Sequence, residues 1–101
     1  KRGQISLQNG HILSNEPGYY EEGQFGIRHE NLMHVTAAHE GYLKFETLTC
    51  FPFDRQLIDK AYLSSEHIAW LNAYHHSVYE KLAPHLETDV RYWLADRCTP
   101  L

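Results

Sequence analysis

The chain has 101 residues, of which 43% are hydrophobic and 22% charged, with a net charge of −4 at pH 7. Such a length bounds it to one modest globular domain or part of one. The acidic balance and scattered cationic residues exclude a nucleic-acid-binding arm, and no apolar run approaches the roughly 18 residues of a membrane span. Cys50 and Cys98 form no C-x-x-C motif, which favours reduced thiols in a cytoplasmic protein.

The first half, to about Asp54, is predicted to form β-strands. A short extended segment at residues 11–16 leads into a stretch of turn-forming residues. Residues 25–36 then alternate as one strand, with Glu30 and Arg28 on the same face. A third strand covers residues 42–53. The predicted turn residues are Pro17, Gly18, Gly23 and Gly26.

The second half is predicted to be helical. Ser64 or Ser65 caps a first helix that Pro84 stops, and Thr88 caps a second helix. Apolar residues recur at steps of three and four, which gives each helix an inward face. The first face comprises Ile68, Leu71, His75, Val78 and Leu82, and the second comprises Val90, Trp93, Leu94 and Arg97.

The stretch RHENLMH at residues 28–34 superficially matches the zinc-protease signature H-E-x-x-H. His29 and His34 are five residues apart, whereas that signature needs two histidines four apart on a helix. On a strand they would lie on opposite faces. We therefore reject a zinc-protease helix here.

Two acidic residues remain as candidates for metal chemistry. A strand, a turn and a returning strand could bring Glu16 and Glu30 together, and paired carboxylates suit hard divalent ions such as Mn²⁺. From spacing alone, an ordinary ion pair between Glu30 and Arg28, with Glu16 as a turn residue, is the competing interpretation.

The stretch SNEPGYYEEGQFGIRHEN, residues 14–31, resembles the closing metal motifs of the pita-bread metallopeptidases, in particular Xaa-Pro aminopeptidase (aminopeptidase P). The resemblance continues through GYLKFETLTCFPFDRQLID and LSSEHIAWLNAYH. It implies an α+β fold, in which antiparallel strands of the pita-bread catalytic domain (residues 1–56) precede a two-helix C-terminal extension (57–101). His29 and Thr47 depart from the family pattern, which has Ile and Pro there.

The resemblance also implies roles for four residues. Glu16 would ligate one metal ion and Glu30 would bridge two, usually Mn²⁺. Arg28 and Tyr20 would orient these ligands by hydrogen bonds. The implied reaction is hydrolysis of the N-terminal Xaa-Pro bond of peptides with proline at the second position.

The family's metal centre also needs Asp and His ligands, and no residue of this sequence substitutes for them. We therefore expect a C-terminal fragment that binds no metal tightly and is inactive alone. A prolidase-type dipeptidase, a non-enzymatic pita-bread partner-binding domain and a helical adaptor are the alternatives. Unpaired strand edges and the resemblance both predict a homodimer. The candidate interface residues, for which an ordinary core is the alternative, are Trp70, Tyr74, Tyr79 and Trp93.

Overall fold

The computed structural model describes residues 3–101, and the chain divides into two compact units after Thr49. The first unit contains five strands and the second contains two α-helices. No helix in residues 3–101 has the length and apolar character needed to cross a membrane.

The first unit holds two antiparallel sheets. One has the strand order β1-β4-β5 and the other pairs β2 with β3. The strands are β1 (Ile12–Asn15), β2 (Gly18–Glu21), β3 (Phe25–Arg28), β4 (Asn31–Ala37) and β5 (Leu43–Thr47).

Four of these strands form one long hairpin with a two-residue interruption in each arm. Asn15 pairs with Asn31 on one side of the interruption, and Gly18 pairs with Arg28 on the other. Both pairs share one register, so residues 16–17 lie opposite residues 29–30. Pro17 has no N–H to donate, which interrupts the ladder.

The predicted single strand over residues 25–36 is therefore wrong in one respect. It is two strands in two sheets, β3 and β4, broken at residues 29–30. The third strand is shorter than predicted, because β5 ends at Thr47. Gly18 and Gly26 lie within strands rather than in a turn, whereas Gly23 has the positive φ of 71° expected of a turn glycine.

The first unit has little buried core of its own. Val35 in the central strand β4 is fully buried, whereas Ile12, Leu43 and Phe45 are 64%, 43% and 51% exposed. Its strands thus present much apolar surface to solvent.

The second unit contains α1 (Ser65–Leu82) and α2 (Thr88–Arg97). Ser64 caps α1 as predicted, since its Oγ accepts from the His67 N–H at 3.2 Å. The prediction of Thr88 as the second cap is wrong by one residue, because Glu87 is the N-cap and Thr88 begins the helix. Three short 3₁₀ turns cover Arg55–Leu57, Lys60–Tyr62 and Ala83–His85.

The core of this unit is formed by Tyr74, Val78 and Leu94. On α1 the predicted inward face is confirmed at His75 and Val78, which are 0% and 1% exposed. On α2 it is confirmed only at Leu94. Val90 and Trp93 were predicted to face inward, but they are 42% and 45% exposed. Leu94 is the one buried residue of this short helix.

His75 joins the segment before α1 to the helix. The Phe53 N–H donates to His75 Nε2 at 3.1 Å, so Nε2 is the unprotonated nitrogen of the neutral ring. Desolvation, followed by the positive charge of Arg55, lowers the pKa of His75 below its ordinary value. The neutral ring is therefore the form that holds this segment.

Acidification should destabilise the second unit through His75. The unfolded state takes up the proton near pH 6.5, whereas the folded state takes it up at lower pH. The contribution of the neutral ring is complete above pH 6.5 and is lost progressively as pH falls towards the folded pKa, by at most about 1.4 kcal/mol per pH unit. Denaturant unfolding from pH 5 to 7.5 measures this slope. His75→Gln should flatten it and His76→Gln, at an exposed position, should not. Equal slopes for the wild type and His75→Gln would contradict the assignment.

The α+β class, with antiparallel sheets followed by two helices, is as predicted. The sequence also predicted catalytic-domain strands at 1–56 and a helical extension at 57–101. This division stays a prediction.

Candidate metal site

The candidate site lies on one face of the long hairpin. The common register places Glu16 opposite Glu30, Gly18 opposite Arg28, and Tyr20 opposite Gly26. These six positions alternate along their strands, so they share one side of the hairpin. We call this group of six residues the carboxylate face.

Arg28 connects the two acids. Its Nη1 lies 3.5 Å from Glu16 Oε2 and 3.6 Å from Glu30 Oε2. Because one nitrogen is near both oxygens, those oxygens are at most about 7 Å apart. Sequence spacing suggested that a turn could bring these carboxylates together, and the structure does so through the shared register.

The guanidinium offsets repulsion between opposed acids. Like charges directly opposite on neighbouring strands are destabilising, and Arg28 supplies the cation that these two need. The side chains of Glu16, Arg28 and Glu30 are 50%, 48% and 39% exposed, so solvent screens the ion pairs and each contributes little stability. The arrangement therefore matters more for positioning than for folding.

Tyr20 fixes the orientation of Arg28. Arg28 Nε donates to Tyr20 Oη at 2.8 Å, and the guanidinium carbon is 5.8 Å from the ring centroid. The hydrogen bond to Tyr20 is the largest cause that raises the pKa of Arg28 above its ordinary value, with Glu16 and Glu30 contributing less. Arg28 therefore stays charged while Tyr20 restricts its rotation.

Two glycines provide the space for the Tyr20 ring. A Cβ atom on Gly18 would lie 2.5 Å from Tyr20 Oη and 2.8 Å from Cζ, and one on Gly26 would lie 2.8 Å from Cδ1. The interpretation of both residues as turn glycines missed this role. Their period-2 placement relative to Tyr20 and Arg28 is the signal that could have revealed it.

The carboxylate face can provide part of a metal-ligand set. Two carboxylates on one face offer hard oxygen donors, which suit Mg²⁺, Ca²⁺ or Mn²⁺. Within residues 3–101, no group of three or more His, Cys, Asp or Glu side chains could hold a metal ion. The donor chemistry therefore fits a divalent ion, but the described residues provide two carboxylates rather than a complete coordination shell.

Comparison with known proteins identifies the class. Residues 41–101 match the model of the C-terminal region of peptidase M24, and residues 1–37 match that of metallopeptidase family M24. The chain belongs to the M24 metallopeptidase family.

Individual relatives are similar to almost the whole length of this chain. Aminopeptidase P2 of Arabidopsis thaliana is 48% identical over 94% of this chain, and a probable Xaa-Pro aminopeptidase P of Coprinopsis cinerea is 41% identical over 95%. The crystal structure of X-prolyl aminopeptidase from Caenorhabditis elegans, described as a cytosolic enzyme with a di-nuclear active site, matches with a TM-score of 0.85 at 36% identity over 94% of this chain. The predicted C-terminal pita-bread fold is thereby confirmed. The chain spans only 14% and 17% of the two relatives and 17% of the solved chain.

We expect Gly18→Ala to destabilise the first unit by displacing the Tyr20 ring. In a double-mutant cycle with Tyr20→Ala, the alanine at position 18 should cost little once the ring is gone, giving a coupling free energy of about 1 kcal/mol. Gly23→Ala is the matched control, because its added Cβ meets no atom within 4 Å and its cost arises from a φ of 71°. That cost should be the same with and without Tyr20. Additive effects of Gly18→Ala and Tyr20→Ala would contradict the packing described here.

Proposed function

We propose that this chain is the C-terminal part of a metal-dependent Xaa-Pro aminopeptidase, and that Glu16 and Glu30 are metal ligands in it. The observation that carries the proposal is the convergence of these carboxylates on Arg28 Nη1, at 3.5 and 3.6 Å. Membership of the M24 family and the names of its relatives support the same activity. The substrates would be peptides with proline at the second position.

The proposed metal centre contains two divalent ions. The oxygen donors of Glu16 and Glu30 suit Mn²⁺, and one carboxylate placed between two ions would bridge them. A bound pair of such ions supplies Lewis acidity for peptide-bond hydrolysis. The remaining ligands would come from parts of the longer protein, in keeping with the small share of its relatives that this chain spans.

The chain's own residues would hold these ligands in place. Arg28 lies within ion-pairing distance of both carboxylates, so it limits their rotation and offsets their repulsion. Tyr20 in turn holds Arg28 through the 2.8 Å hydrogen bond to Nε. We propose that Arg28 and Tyr20 are positioning residues, in the manner of the outer partners that orient metal ligands elsewhere.

The protein would be cytosolic like its structural neighbour. The helices would form a dimer contact. Tyr74 is 9% exposed and belongs to the core, whereas Trp70 and Trp93 are 52% and 45% exposed. Trp70 stacks on Tyr74 with an interplanar angle of 6° and a centroid distance of 5.5 Å. This holds a large apolar ring rigidly at the surface, a property of residues that anchor interfaces.

In a full-length protein carrying this chain, Glu30→Gln should reduce hydrolysis of an Xaa-Pro-Xaa tripeptide by at least about 100-fold and lower the bound metal content. Arg28→Met should cost about 10–100-fold. Glu22→Gln, an exposed carboxylate in the turn between β2 and β3, is the matched control and should retain activity. Wild-type metal content and activity in Glu30→Gln would refute the ligand assignment. An Xaa-Pro dipeptide assayed in parallel distinguishes a prolidase-type enzyme, which would prefer it to the tripeptide.

Replacing Trp70 by Ser should shift the full-length protein from dimer towards monomer in light scattering, because it removes a half-exposed ring from the proposed contact. Tyr62→Ser removes an 87% exposed ring outside both helices and should leave the dimer intact. A monomeric wild-type protein, or equal effects of both substitutions, would contradict the proposed contact.

A further inference from the structure

A second cluster of charge lies in the helical unit, away in sequence from the carboxylate face. A cavity of about 340 Å³ is bordered by Arg55, Lys60 and Arg97, with Asp96 as its acidic side chain and Leu101 at its edge. Its lining side chains therefore carry two more positive than negative charges. This volume is at the lower end of the range found for small-molecule sites.

These cations are poorly neutralised by the protein. Arg97 Nε lies 3.9 Å from Asp96 Oδ2, and the Asp96 side chain is 75% exposed. Across residues 3–101, no ion pair reaches Arg55 or Lys60. The cavity thus keeps positive charge available for an anion.

Arg55 is held in place and retains an unused donor. Its Nη1 donates to Thr99 Oγ1, and its Nη2 donates to the Pro100 carbonyl oxygen at 3.1 Å. Its Nε is buried and, among the described residues, has no hydrogen-bond partner. Because buried donors in folded proteins are almost always satisfied, this nitrogen needs an acceptor from outside the chain, either a water molecule or a bound group.

An aromatic compartment adjoins the cationic one. A cavity of about 320 Å³ shares Gln56 and Arg97 with the first and is bordered by Phe51 and Trp93, with Asp54 as its acidic side chain. The Phe51 and Trp93 rings are 6.2 Å apart, and the Arg97 guanidinium carbon is 5.9 Å from the Trp93 centroid. Arg97 therefore borders both the cationic cavity and the cavity that the two aromatic rings line.

We propose that these two cavities form one binding site for a small organic anion. A phosphate or carboxylate group lies among Arg55, Lys60 and Arg97, and an attached aromatic or apolar group lies against Phe51 and Trp93. Arginine forks suit such oxyanions, and the neighbouring rings add apolar contact. The site uses no residue of the carboxylate face and does not depend on peptidase activity.

The test titrates the 101-residue chain with phenyl phosphate and with inorganic phosphate, by calorimetry and by the NMR resonance of the Arg55 Nε–H. Both probes should saturate and shift that resonance, and phenyl phosphate should bind at least about fivefold more tightly. Benzoate in a parallel titration shows whether a carboxylate serves as well as a phosphate. Absence of saturable binding of every probe would overturn the proposal. Equal affinity for phenyl and inorganic phosphate would overturn its aromatic part.

Matched variants separate the site from general charge effects. Lys60→Met should weaken phenyl phosphate at least about fivefold, and Lys81→Met removes the same charge from an exposed position on α1 outside the cavity. Lys81→Met should leave binding unchanged, and equal weakening by both variants would overturn the site. Trp93→Leu should reduce the affinity for phenyl phosphate to that for inorganic phosphate. Circular dichroism confirms that each variant keeps its helices before its binding is compared.

Discussion

The candidate metal site of the first unit depends on one electrostatic constraint, the placement of two carboxylates directly opposite each other. Glu16 and Glu30 share a register, and such opposed acids repel unless a cation lies between them. Arg28 is that cation in this chain. The same geometry that makes the pair unfavourable for folding makes it suitable for a divalent ion. A local cost in stability and the proposed ligand function therefore have one origin.

A short series of contacts in the hairpin holds the two carboxylates in place. Pro17 interrupts the ladder beside the acids, Arg28 reaches back to both of them, and Tyr20 holds Arg28. Gly18 and Gly26 leave room for the tyrosine ring. In the second unit, side chains of α1 likewise hold a neighbouring segment in place. Tyr74 and His75 form hydrogen bonds with the backbone of residues 51 and 53.

Much of the secondary structure could be predicted from the sequence, and the predictions that were wrong failed for physical reasons. The strand-then-helix order, the Ser64 cap and the buried face of α1 followed from turn residues and periodicity. The break between β3 and β4 did not, because an interruption of two residues in each arm preserves the period of two. Glycine composition indicates turns, whereas the role of Gly18 depends on a cross-strand neighbour that periodicity does not reveal. Val90 and Trp93 match a helical stripe, but the stripe does not show that only Leu94 packs against the core.

The packing of Tyr20 on two glycines has a consequence for how this hairpin can diverge in evolution. A side chain at either glycine collides with the ring, so neither position is free to vary while the tyrosine remains. Loss of the tyrosine would remove that restriction from both glycines and would also free the arginine from its hydrogen bond. The positions should accordingly change together across a lineage, with the aromatic residue lost before the glycines acquire side chains.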